Sequence, residues 1–263
     1  MLWNASNIQG YAISASDGEI GTISDFLFDD ASWLVRWLVV DTGNWLSGRK
    51  VLLPSSAMAH LDSQQKNCSI KLTKQQIKDS PSVNTERPVS RQMESSVYDH
   101  YGYSPLWNNG YSYMGGLAYL GGFGYLGGLG GAQLNEPRSE SEDEIVEMQR
   151  NSDDVHLRSF DAVNGYHIHA SDGAIGHIAD FLIADIDWSM RYLVVDTKNW
   201  WPGKKVLISA RSVKEIDWNE HQVNVDVKRQ KIKGGPTYDP SVPIDQAYEK
   251  KYLAYYDIEL AAA

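Results

Sequence analysis

The chain is poor in the residues on which most small-site chemistry depends. It has one cysteine, Cys68, in 263 residues. That excludes an intramolecular disulfide and any multi-cysteine zinc site, and it suits a reducing compartment. Met1 to Tyr11 holds no basic cluster and no long apolar run, so no secretory signal is read there. The Asn-x-Ser triplets at Asn4 and Asn67 therefore carry no weight, and the cytoplasm is the expected location. Positive charge is also short, with 24 Lys and Arg against 34 Asp and Glu, a net charge of −10. Such a surface repels phosphate, and no nucleic-acid partner is expected. No nucleophile elbow, His-Glu-x-x-His pair or P-loop occurs. The Gly-x-Gly-x-x-Gly match at Gly122 to Gly127 follows no predicted strand and opens no helix, so it is not a dinucleotide site. An enzyme would need a cleft of perturbed titratable groups, and none is visible. No catalytic, cofactor-binding or metal-binding residue is assigned, and no cofactor is expected.

What the chain does have is an internal repeat. Shifted by 155 positions, the two halves align without a gap, and about 27 of the 44 positions from Gly10 to Leu53 are identical. Ala15-Ser16-Asp17-Gly18 meets Ala170-Ser171-Asp172-Gly173. Asp25-Phe26-Leu27 meets Asp180-Phe181-Leu182, and Leu38 to Thr42 meets Leu193 to Thr197. The register continues to Pro81 and Pro236, Pro88 and Pro243, Glu94 and Glu249, and Tyr101 and Tyr256.

Each copy reads as strands. Asp17-Gly18 between apolar stretches is a hairpin signal. Trp33 to Val40 is rich in Trp and Val and ends in the turn formers Asp41 to Asn44. Val51 to Pro54 is a short strand, and Ser69 to Thr73 alternates as a half-buried strand does. Val89 to Tyr103 and Ile244 to Tyr256 have helical spacing. The expectation is an all-β protein of two small barrels, residues 1–103 and 161–263, each with a short helical tail and each folding autonomously. Residues 104–160 form a Gly/Tyr-rich, then acidic, linker.

The run Gly-Tyr-x-Ile-x-Ala-Ser-Asp-Gly-x-Ile-Gly-x-Ile-x-Asp-Phe-Leu, followed by Trp, Leu-Val-Val-Asp-Thr and Lys-Val-Leu, resembles the PRC-barrel family. That family takes in the cytoplasmic barrel of the photosynthetic reaction-centre H subunit and many stand-alone bacterial members. The resemblance covers residues 8–81 and 163–236 and rests on fold-forming positions. It implies a non-catalytic binding or scaffold module that associates with proteins, including self-association of the two barrels. The alternative by the same analogy is an accessory subunit of a membrane electron-transfer complex.

Several features remain open at this level. Asp25, Asp29 and Asp30, partly mirrored by Asp180, Asp185 and Asp187, read as sheet-edge charges or as oxygen ligands for a cation. Trp33, Trp37, Trp45, Trp188, Trp200, Trp201 and Trp218 read as core and rim packing or as a docking surface. Lys228 to Lys233, the one dense basic patch, reads as a solvated strand end or as a contact for anionic lipid or RNA. His167, His169 and His177 are peculiar to the second copy, and a three-residue turn would set His169 opposite His177 as a metal-sharing pair. Tyr101 to Asn135 contains no Asp, Glu, Lys or Arg, and residues 115–132 repeat every six residues. That stretch reads as a flexible linker, as a segment docking on a partner or the inner-membrane surface, or as a membrane span.

Overall fold

In the computed structural model, residues 1–81, 91–103, 156–197, 204–240, 242 and 244–256 are described. The Gly/Tyr-rich stretch, the glycine motif at Gly122, the acidic run Glu140 to Glu147, Trp200 and Trp201 lie outside them.

The first half runs β1 (Leu2–Asn4), α1 (Ala5–Ile8), β2 (Ala12–Ala15), β3 (Gly18–Asp29), β4 (Val35–Asp41), β5 (Lys50–Pro54), β6 (Met58–Asp62), β7 (Asn67–Ile70), α2 (Lys74–Lys78) and α3 (Arg91–Tyr101). The second half repeats the order with β8 (Leu157–Ser159), α4 (Phe160–Val163), β9 (His167–Ala170), β10 (Gly173–Ala184), β11 (Met190–Asp196), β12 (Lys205–Ser209), β13 (Val213–Asp217), β14 (Gln222–Val225), α5 (Arg229–Gly234) and α6 (Gln246–Tyr256). The protein is therefore mostly β, in two seven-stranded sheets. Among the described residues no helix is long and apolar enough to cross a membrane.

Within each half the strand order is β5-β4-β3-β2-β7-β6, or β12-β11-β10-β9-β14-β13. All neighbours are antiparallel except β2 with β7 and β9 with β14. Gly21 and Gly176 explain one shared position. A Cβ there would lie 2.0 Å from the Asp41 carbonyl oxygen and 1.9 Å from that of Asp196, so only glycine lets β3 and β10 pass so close to β4 and β11.

The seventh strand of each sheet comes from the other half. β1 pairs with β10, setting Leu2 against Ala184 and Asn4 against Leu182. β8 pairs with β3, setting Leu157 against Asp29 and Ser159 against Leu27. These registers are the same contact under the 155-residue shift. The halves are thus related by a pseudo-two-fold axis through an isologous junction. Beside it Leu34 bridges Ser189, the Val35 amide donates to the Trp188 carbonyl at 2.9 Å, and the Met190 amide donates to the Trp33 carbonyl at 2.7 Å.

Each module's sheet is completed by a strand from the other half. Leu157–Ser159, read as linker from the sequence, is a strand of the first module's sheet. One apolar cluster runs through both halves. At its centre Phe160 meets Phe26 at 6.2 Å and Phe181 at 5.6 Å between ring centroids, and Phe28 meets Phe181 at 6.0 Å. Cys68 is buried inside the first module, and burial pushes its thiol up to about 12, which leaves it unreactive.

A shared core predicts shared unfolding. Heating followed by circular dichroism should give one cooperative transition. Phe181→Ala should lower it as a whole, by about 3–5 kcal/mol for a large-to-small core change. Two separate transitions, with only the second one shifted, would restore the picture of independent modules.

Candidate functional site

The junction gathers more of the sequence-flagged residues than any other place in the fold. β3 carries a bulge at Ser24, where Ile23 pairs with Val40 but Asp25 pairs with Val39. The bulge breaks the inward–outward alternation and presents Asp25 at the arm of the other half. Asp25 accepts from the Ser159 hydroxyl at 2.6 Å and from the Asp161 amide at 3.3 Å. Asp180, its repeat partner, is buried. It accepts from the Asn4 side-chain amide at 2.8 Å, the Ser6 hydroxyl at 2.6 Å and the Ser6 amide at 3.1 Å. Each Asp-Phe-Leu aspartate therefore clamps the arm that arrives from the opposite half. Asn4 extends the second clamp to the Tyr238 hydroxyl at 3.0 Å.

The other acidic residues are separated by task. Asp30 pairs with His156 at 2.8 Å and Arg158 at 3.0 Å. Asp185 takes the symmetric place, accepting from the Met1 ammonium at 2.6 Å and the Trp3 indole at 3.1 Å. Hydrogen bonding and charge from that ammonium and indole outweigh burial and hold the Asp185 carboxyl below the usual carboxylate range. Asp29 pairs with Arg36 and accepts from the Ala31 and Ser32 amides of the turn. Asp187 accepts from Ser189. The structure does not bring these carboxylates to one point. Among the described residues, no three His, Cys, Asp or Glu side chains come together in a metal-holding group.

The tryptophans also turn inward. Trp37 is fully buried, and Trp33 and Trp188 nearly so. Trp45 lies under Lys74, whose ammonium is 4.8 Å from the ring centroid, and Trp218 lies under the Arg158 guanidinium at 3.9 Å. Trp33 and Trp188 adopt φ of 59° and 57°, a left-handed conformation rarely held by bulky side chains. Both carbonyls of these strained residues serve the junction.

The histidine register differs from the sequence expectation. The turn contains only Ser171 and Asp172, since Ala170 pairs with Gly173, and a bulge follows at Ile175. His177 is therefore opposite His167, and His169 is opposite Ala174. The aspartates of both turns have a second task that the sequence did not reveal. Asp17 accepts from the Lys74 amide and Asp172 from the Arg229 amide, each at 2.8 Å, so each hairpin tip holds the start of a helix. The basic patch is that helix, α5, rather than a strand end. Its Ile232 is buried in the core.

The tail helices dock on the outer faces through a shared ion pair. In the first module Arg36 donates to Glu94 at 3.2 Å, the Trp37 indole also donates to Glu94, and Tyr98 packs on Trp37 at 4.3 Å. The Glu94 side chain is wholly buried. In the second module Arg191 reaches Glu249 at 3.5 Å, with side-chain exposures of 37% and 23%. Tyr192 replaces Trp37 and joins Tyr238, Tyr248, Tyr252 and Tyr256 in a separate apolar cluster.

Residues 4–77 match the model of the PRC-barrel domain. The first module is a PRC-barrel domain. The match starts at Asn4, the last residue of β1, and ends in α2, before the tail helix. No curated protein matches the chain. The second module repeats the first module's strands, order and register at the 155-residue offset.

Two outcomes are expected of the site residues. Desolvation raises the Asp25 pKa against the lowering by its Ser159 and Phe26 hydrogen bonds. A carboxyl whose folded pKa is raised favours folding most below its unfolded value near 3.8, and that contribution falls as pH rises through the folded value. Asp25→Asn should therefore flatten the stability profile above pH 4 in urea titrations. Unchanged curvature would show that the carboxyl does not titrate differently in the fold. The second outcome concerns the tails. Glu94→Ala takes one carboxylate from the buried Arg36 guanidinium, which keeps Asp29, and removes the acceptor of the buried Trp37 indole, and should cost about 1–3 kcal/mol. Glu249→Ala, at a partly solvated pair, should cost about 1 kcal/mol or less.

Proposed function

We propose that this protein is a non-catalytic binding or scaffold protein whose tandem PRC-barrel modules mediate protein–protein association. The observation that carries this reading is the junction. Two like modules are fused through one core about a pseudo-two-fold axis, so a patch on one module recurs on the other at a fixed span. A dimeric or repeating partner can engage both patches, and the second contact forms at high effective concentration. Fold-forming positions dominate the family motif, which favours recognition by surfaces over chemistry at a cleft. The uncharged segment within residues 104–135 adds a second mode of contact. Each repeat offers one or two large apolar groups among glycines, a composition suited to weak, summed association with a protein or with the inner-membrane surface.

Affinity capture of a tagged full chain from its native cell tests the main reading. A near-stoichiometric protein partner, retained at moderate salt, is expected. Recovery of the chain with no protein at comparable abundance would sink it, and recovery within a membrane electron-transfer complex would favour the accessory-subunit reading instead. Deleting residues 110–132 separates the two modes of contact. The melting temperature should stay unchanged, while the membrane- or complex-bound fraction should fall. Equal fractionation of the deleted and intact proteins would reduce the segment to a tether.

A further inference from the structure

The pseudo-symmetric junction departs from symmetry at a few core positions, and these departures complement one another. The first module brings a small residue on its arm, Ala5, and a large one on its receiving strand, Phe28. The second brings a large residue on its arm, Phe160, and a smaller one on its receiving strand, Ile183. All four are buried. Phe160 lies against both Phe26 and Phe181, at 6.2 and 5.6 Å. The pseudo-two-fold places position 5 beside the same two phenylalanines. One large and one small side chain therefore share the space at the axis. Two copies of the first module would leave the Phe160 volume empty, and two copies of the second would have to fit two phenylalanines into it. Both arrangements are penalised in a close-packed core.

A polar contact has the same bias. The Gln9 side chain donates across the junction to Asp161 at 2.8 Å. The corresponding residues are Asn164 and Ser6. A pair of first modules would offer Gln9 only the Ser6 hydroxyl, and a pair of second modules would offer Asp161 only the shorter Asn164.

We infer that the two modules are the protomers of a fused dimer, held together by their reciprocal surface rather than by the linker. The surface is matched so that each module takes the other in preference to its own copy. The partner that fits each arm-receiving edge is thus the opposite module, in the same chain or in a second copy of it.

The full chain with a specific protease site replacing residues 118–124 tests this. After folding it is nicked, and the products are weighed by native mass spectrometry across a dilution series. One species is expected, with one N-terminal and one C-terminal fragment, persisting to low micromolar concentration. Separation into single fragments on nicking would overturn the fused-dimer inference. Same-fragment pairs amounting to about half of all dimers, the statistical share, would overturn the matching. Nicked Phe160→Ala should dissociate at a concentration at least tenfold higher than the wild type, and an unchanged midpoint would remove Phe160 from the matching. If the alanine variant fails to fold before nicking, Phe160→Leu gives the same comparison with less volume removed.

Discussion

The central strands β3 and β10 are each 12 residues long, whereas the hairpin partners β2 and β9 have 4. β3 pairs with β2 from Gly18 to Thr22 and with β4 from Thr22 to Phe28, and Gly10 and Tyr11 still bond Ile23 on the β2 side, but beyond Ile23 no described strand of its own module lies on that side. A bare run of strand amides and carbonyls beside a hydrophobic core has to be covered or paired. The arm of the opposite half covers it, and the shift symmetry ensures that the same solution works twice. The clamp aspartates, the bulges that aim them, the ion pairs of Asp30 and the strained tryptophans all lie within a few residues of that edge.

Trp33 and Trp188 show how the junction holds backbone in a sparsely populated region. A left-handed conformation for a bulky residue costs on the order of 1–3 kcal/mol and persists only where its surroundings fix it. Here the Trp33 amide donates to Asp29 and the Trp188 amide to Ala184, while their carbonyls accept from the opposite module. Trp33 also stacks on Phe28 at 5.5 Å. Separating the modules would leave both strained residues without the hydrogen bonds that their conformation serves. Strain and exchange therefore reinforce each other.

Much of this was legible in the sequence. Gly21 and Gly176, the Asp-Gly turns, the Leu-Val-Val-Asp-Thr strands and the tail helices are local signals, and each lies where its pattern places it. The exchange was not legible. Under a gapless repeat, an arm paired within its own half and an arm paired with the other half present the same residues to the same register. The hydrophobic pattern therefore cannot distinguish the two. The arms are also short, and Leu2-Trp3-Asn4-Ala5-Ser6 shares only its leucine with Leu157-Arg158-Ser159-Phe160-Asp161. The one usable signal was the aspartate of Asp-Phe-Leu, a charge kept in both copies beside a buried Phe-Leu pair. The histidine register failed for a different reason. Turn length and the bulge at Ile175 set it together, and neither is fixed by the residues of the turn.

Divergence between the copies follows the same division of labour. The two aspartates that receive the arms are kept: Asp25 accepts from Ser159 and Asp180 from Asn4 and Ser6. Positions that fill its volume are exchanged as a set, with Ala5 and Phe28 facing Phe160 and Ile183. The outer faces diverge more freely. The first module buries Glu94, Arg36 and Trp37 under α3, while the second leaves the Arg191–Glu249 pair partly solvated and builds a tyrosine cluster under α6. Burial in that cluster pushes the Tyr252 phenol well above its ordinary range, so it stays neutral and acts as an apolar body with a hydroxyl. That hydroxyl donates to the Leu207 carbonyl and accepts from the Ser209 amide, which ties α6 to the edge strand β12. A duplicated chain can vary its outward surfaces this way because the constraint on its fold sits at the axis.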